Sequence, residues 1–228
     1  MRHVASLFLI ACISGCDSGD PRSVQDRALN EITVAMEAAS SLAIVEPVKS
    51  PAQRALFEHN LVEQNPKYLV LSASPDELNL LQELRVLIPT VSNHQSLGSV
   101  ELQRIMVRTS ELKTIGASVI GLLPDAGRRE SVLFRLPTGK LGMLAVWDYK
   151  ADQGKMYTVQ EALTFEVANR PAVLSLSGNP TDPRRLWTAG WNTDAEHYSL
   201  YLEDTKAENG ETSWNPDSIR AFAEKLTQ

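Results

Sequence analysis

Cysteine is almost missing from this chain. Its 228 residues hold two, Cys12 and Cys16, and none follows them. The body therefore has no disulfide framework, no CxxC redox pair, no zinc–thiolate site and no cysteine nucleophile. Histidine is nearly as scarce, with four in all. His3 lies at the extreme N-terminus, and His59, His94 and His197 stand far apart, so the two-histidine helical spacing of metalloproteases is not there. A basic excess is also lacking. Lys and Arg number 22 against 28 Asp and Glu, a net charge of -6. That argues against a general nucleic-acid binder, which needs a basic face to displace counterions. No G-x-S-x-G elbow, Walker loop or dinucleotide fingerprint occurs. We read no cofactor, no metal and no catalytic residue from these patterns.

What is present suits a globular protein: 43% apolar and 22% charged residues, on a chain long enough to bury a sizeable core. The N-terminus is the most specific segment. Arg2 gives a positive start, and Val4 to Ile13 form an apolar run of ten residues. A membrane-spanning helix needs about twenty, so the run suits the hydrophobic region of an export signal. Ile13-Ser14-Gly15-Cys16 follows: an aliphatic residue, two small residues, then a thiol. This resembles the lipobox of bacterial lipoproteins. The resemblance implies that Cys16 accepts a diacylglycerol, that cleavage makes it the new N-terminus, and that the chain is held at a bacterial membrane on its periplasmic or outer side. Leu9-Ile10-Ala11-Cys12 fits more loosely and leaves an apolar region of only six residues, Val4 to Leu9. Asp17, next to the modified residue, resembles an inner-membrane retention signal. Residues 1–15 are thus read as signal, 16–22 as a lipidated tether, and 23–228 as one domain, with a division near residue 95 as the alternative.

Along the mature chain, from Val24 to Ala43, Ala28, Leu29, Ile32, Ala35, Met36, Ala39, Leu42 and Ala43 recur at helical spacing and predict one amphipathic helix. Ser50-Pro51 and Ser74-Pro75 read as helix starts, predicting helices from Pro51 to about Val62 and from Pro75 to about Leu87. Tyr68 to Leu71 is a short predicted strand between them. After residue 98 the pattern turns to strands: Val100–Arg108 (ambiguous, with a helix to Leu112 as the alternative), Ser118–Leu123, Ser131–Leu136, Leu141–Tyr149, Leu163–Val167, Ala172–Ser177, Arg185–Trp191 and His197–Glu203. Asn215-Pro216 opens a closing helix with Ile219, Phe222, Ala223 and Leu226 inward. Helices first and strands later predict an α+β fold: a mainly antiparallel sheet with N-terminal helices and one C-terminal helix packed on it.

The segments "FEVANRPAVLSLSG", "RLWTAGWNTDAEHYSLYLED" and "WNPDSIRAFAEKL" resemble an extracytoplasmic domain of unknown function found in bacterial lipoproteins and anti-sigma-type proteins. That resemblance implies no catalytic residues.

Several constellations offer chemistry beside a plainer reading. Ser110 and Lys113 match S-x-x-K without the companion motifs of penicillin-recognising enzymes. Asp148 and Asp152 form an acid pair beside Trp147 and Tyr149, or simply two solvated carboxylates. Trp187 and Trp191 share a strand face, which either seats a partner or packs under the C-terminal helix. Arg128, Arg129, Arg184 and Arg185 sit in two predicted turns. If those turns share one end of the sheet, they make an anion or acidic-partner site. The expectation is a lipid-anchored, non-enzymatic envelope protein that binds or scaffolds another envelope component through such residues. The alternatives are an anchored hydrolase of cell wall or peptide and a carrier of an apolar ligand.

Overall fold

The computed structural model describes residues 43–46, 51–87, 108–124, 129–154, 156–207 and 210–227. Its elements in chain order are β1 (Ala43–Glu46), α1 (Pro51–Glu58), β2 (Leu61–Asn65), β3 (Tyr68–Ser72), α2 (Pro75–Leu78), α3 (Leu80–Leu87), α4 (108–114), β4 (Ser118–Pro124), β5 (Arg129–Arg135), β6 (Leu141–Trp147) and β7 (Met156–Val159). A 3-10 turn (Gln160–Ala162), β8 (Phe165–Val167), β9 (Arg170–Asn179), β10 (Asp182–Asn192), β11 (His197–Thr205) and α5 (Pro216–Lys225) complete it. The main sheet runs β2-β3-β9-β10-β11-β6-β5-β4, with β8 also on β9. Its pairs are antiparallel except β3 with β9, and β1 and β7 form a separate parallel pair. The architecture is α+β: a mixed sheet of many strands with a few helices. Strands from both sides of residue 95 enter the same sheet. Among the described residues no helix is long and apolar enough to cross a membrane.

Alternation along the strands creates two different faces. On one, cross-strand register sets Leu174, Ala189, Leu200, Leu144 and Val132 in a row, with Leu176, Trp187, Leu202, Gly142 and Phe134 in the next parallel row. These rows are the main core, and α5 closes it with Ile219, Phe222, Ala223 and Leu226. Burying each of its large apolar side chains contributes about 1.5–3 kcal/mol. Gly142 lets the Phe134 ring lie over the strand and stack on Phe222, with centroids 6.0 Å apart. The other face is apolar at one end, where Leu133, Leu141, Met143, Leu186 and Tyr201 meet Ala73, Leu78 and Leu81 of the α2–α3 region. Toward the β10–β11 turn it becomes small and polar, with Gly190, Ser199, Ala145 and Ser131 in one row.

Local chemistry accounts for the helix boundaries. The Ser74 hydroxyl accepts from Glu77 N, and Ser74 N donates to the Glu77 carboxylate at 2.6 Å, a reciprocal cap over α2. Asn215 and Ser218 repeat this arrangement at α5, with Pro216 in the first turn. The helix predicted to reach Val62 stops at Glu58, and Leu61–Asn65 pairs with β3 instead. Tertiary pairing overrides local helix preference there. The helix predicted up to Leu87 is two pieces meeting at Asn79. Arg108 belongs to a helix rather than to a strand; the rest of that segment before it, like the predicted helix from Val24, lies outside the described residues, apart from Ala43, which opens β1. Both edge strands carry an extra residue, Val62 in β2 and Ile120 in β4. Such bulges twist an edge away from pairing with other chains.

The segment between β11 and α5 is tied down by Asp204, whose side chain is fully buried. It accepts from Lys140 Nζ at 2.5 Å and from the backbone N–H of Thr205, Ser213 and Trp214. Burial pushes its pKa up. Those hydrogen bonds outweigh burial and hold the carboxyl below its ordinary value.

Candidate functional site

Polar chemistry concentrates at the β10–β11 turn, where register places Asn192, His197, Trp147 and Arg129 in one row across four strands. The turn closes on itself. Thr193 N donates to Glu196 O, Glu196 N donates to Thr193 Oγ1, and the Tyr149 hydroxyl reaches Thr193 O at 2.5 Å. Arg170 holds Asp194 at 2.8 Å.

On the α5 side of this end, Tyr198 stacks on Trp191 with centroids 5.1 Å apart, and the Arg108 guanidinium lies 5.1 Å from the Tyr198 ring. Arg108 donates to Glu196 at 2.8 Å, and the Tyr198 hydroxyl donates to the same oxygen at 2.6 Å. Glu111 reaches only ion-pair distance from Arg108, 3.5 Å, and its Oε2 is buried without a hydrogen bond. Burial accordingly raises the Glu111 pKa against the pull of Arg108. Burial, and its bond to Glu196, also raise the Tyr198 pKa. One guanidinium thus serves two carboxylates and a ring, and the cluster fastens α4 to the sheet.

On the opposite side, His197 Nδ1 lies 2.7 Å from Asn192 Oδ1 and Nε2 lies 2.9 Å from Ser199 Oγ. With the amide oxygen facing the ring, Nδ1 carries the proton and Nε2 accepts from the serine. That is the connectivity of a nucleophile, a base and an orienting group. The electrostatics oppose catalysis. Burial, reinforced by the Arg129 charge, lowers the His197 pKa to about 3. A general base works best with a pKa near the operating pH. A neutral asparagine also lacks the charge with which an aspartate stabilises an imidazolium. The contacts along Asn192–His197–Ser199 satisfy buried polar groups across the turn. The arrangement was detectable in the sequence only as His-x-Ser on one strand face, with Asn192 opposite through the turn.

The residues singled out from the sequence fall as follows. Cys16, Asp17 and Arg128 lie outside the described residues, as does His94. Trp187 and Trp191 are 2% and 1% exposed, under α5, and Trp191 Nε1 donates to Thr227. Neither indole reaches the surface. Arg129 stacks 4.6 Å from the Trp147 ring. Arg184 grips Asp182 through two nitrogens and donates to Asn79, and Arg185 donates to the carbonyls of Asn179, Asp182 and Arg184. Arg129 aligns with Asn192, whereas Arg185 pairs with Asp204 near the other end of β11. The seven residue steps from Arg185 to Asn192 along β10 correspond to about 24 Å. Arg129 and the pair Arg184 and Arg185 therefore occupy opposite ends of the sheet and form no common anion site. The Asp152 carboxylate accepts from Trp147 Nε1 at 2.7 Å, and Asp148 accepts from Ala151 N, so this acid pair shapes the turn after β6. Ser110 and Lys113 are both exposed on α4, and His59 is exposed after α1. No cluster of three or more metal-ligating side chains occurs among the described residues.

A cleft of about 720 Å³ opens elsewhere, lined by Gln64, Asn65 and Pro66 of the β2–β3 turn and by Gln160, Glu161, Leu163 and Thr164 before β8. It lies where two strands share one edge of β9. Strand β8 pairs with residues 170–172, and β3 pairs with residues 175–178. Val173 and Leu174 between them pair with β10 only. Gln64 braces the cleft by donating to Glu161 O at 3.1 Å. Thr164 Oγ1 is buried and has no hydrogen-bond partner. Nothing in the local sequence marks this place, because its two walls are about a hundred residues apart. Compared with known proteins, the chain matches no family model, no curated protein and no solved structure.

Proposed function

We propose that this protein is an exported, lipid-anchored lipoprotein of the bacterial envelope, non-enzymatic, that binds or scaffolds another envelope component. The observation that carries the reading is Ile13-Ser14-Gly15-Cys16 directly after a ten-residue apolar run. A thioether-linked diacylglycerol with an added N-terminal acyl chain supplies the several fatty chains that stable anchoring needs. Asp17 directs the anchored protein to the inner membrane.

Metabolic labelling with palmitate in cells expressing the full chain tests the anchor. Wild type is expected to carry label and to sediment with membranes, and Cys16→Ala to lose both. Label retained on Cys16→Ala refutes the assignment to that thiol.

A further inference from the structure

We propose that Arg108, Glu111 and Glu196 form a pH-sensitive clasp: a proton on the Glu111 carboxyl tightens the join between α4 and the β10–β11 turn, and its loss loosens that join. The two halves of the clasp come from different elements. Arg108 and Glu111 stand three residues apart on α4, on one side of the helix. Glu196 belongs to the turn, and Tyr198 follows it on β11. All three charged side chains are mostly buried, at 14% exposure for Arg108, 18% for Glu111 and 19% for Glu196.

The hydrogen bonds are shared unequally. Arg108 Nη2 and the Tyr198 hydroxyl both donate to Glu196 Oε2, at 2.8 and 2.6 Å. Glu111 Oε2 is buried 3.5 Å from Arg108 Nη1 and accepts no hydrogen bond. Asp204 is the contrast within the same protein: it too is buried, but Lys140 and three backbone N–H groups donate to it. A buried carboxylate oxygen without a donor favours the neutral acid. Among the described residues, the charged groups facing Glu111 are Arg108 on its own helix, which attracts it, and Glu196 across the join, which repels it. Lys113 is exposed and lies on another side of α4. Burial outweighs Arg108 and holds the Glu111 carboxyl above its ordinary pKa. A proton taken up from solvent removes the repulsion and leaves Arg108 to Glu196 alone. Leu112, buried in the main core, anchors the helix itself. The clasp therefore governs how firmly α4 meets the β10–β11 turn, not whether α4 stays on the sheet.

Because the folded pKa of Glu111 lies above the unfolded one, its contribution is fully present below about pH 4.5 and is lost as pH rises through the folded value. Asp204 and His197 act with the opposite sign. Carbon-detected NMR titration of the Glu111 carboxyl in the isotope-labelled full chain reads the proton directly, with no substitution. Its midpoint should lie above 4.5. Glu111→Gln, an uncharged isostere of the acid, should melt above wild type at about pH 8, and the gap should close by about pH 4. At about pH 8 the same substitution should raise amide protection at Glu196 and Ala117 at least about twofold. The Glu196 amide donates to Thr193 Oγ1 in the turn, and the Ala117 amide donates to Leu112 O at the end of α4. A midpoint at or below 4.5, a Gln variant that melts no higher than wild type at about pH 8, or protection unchanged by the substitution would each overturn the proposal.

Discussion

Gly142 offers a sharp test of how the core is assembled. A Cβ built there falls inside the contact distance of the Phe134 ring carbons Cε2 and Cζ and lies 3.2 Å from Leu202 Cδ2. The ring has nowhere to go: Phe134 is 0% exposed and stacks on Phe222 of α5. Two effects compete in Gly142→Ala. Replacing a strand glycine gains about 0.5–1 kcal/mol through the unfolded state, and overpacking a well-filled core costs about 1–3 kcal/mol. The contact meets a buried ring rather than the end of a flexible side chain, so the upper part of that cost applies and the net loss should be about 2 kcal/mol. For a domain of this size that lowers Tm by roughly 4–8 °C. Urea denaturation at 25 °C and a thermal scan measure it. The decisive experiment is the double-mutant cycle with Phe134→Leu. In that background the ring is gone, and Gly142→Ala should be neutral or stabilising. An unchanged cost in the Phe134→Leu background, or no cost in wild type, refutes the reasoning.

Two further outcomes concern pH. The folded pKa of His197 lies near 3, below its ordinary 6.5, so the unfolded chain binds more protons between those values. Stability should therefore fall as pH drops from about 6.5 toward 3, by a few kcal/mol at most; His197→Gln should flatten that slope in pH-dependent urea melts, and the His197 ring resonances should not titrate between about pH 5 and 8. Asp204 has a folded pKa below its ordinary value, so its contribution is present above about pH 4 and is lost as pH falls through the folded pKa. Asp204→Asn should cost about 3–5 kcal/mol at neutral pH, because it leaves Lys140 without its buried counter-charge, and should show a shallower loss of stability below pH 4.

Much of the secondary structure was legible because its causes are local. The caps at Ser74 and Asn215 act over three residues, and alternation along residues 182–192 and 197–205 records which side chains face α5. The lipobox is likewise a contiguous pattern, which is why the reading of Cys16 needs no tertiary structure. Short strands were not legible: β2, whose partner β3 follows directly after a tight turn, looked like the tail of a helix, and β1 and β7, which pair across more than a hundred residues, have too few residues to show a period. Sequence determined that the chain would fold as helices on a sheet and placed the indoles of Trp187 and Trp191 on one strand face. Only the tertiary structure decided that this face is covered by α5, that Arg129 lies at the opposite end of the sheet from Arg184 and Arg185, that His197 finds Asn192 and Ser199, and that Gln64 and Thr164 line one cleft. Capping and alternation are set by neighbouring residues. Strand order and register are set by which distant segments bury each other's apolar faces, and that competition involves the whole chain at once.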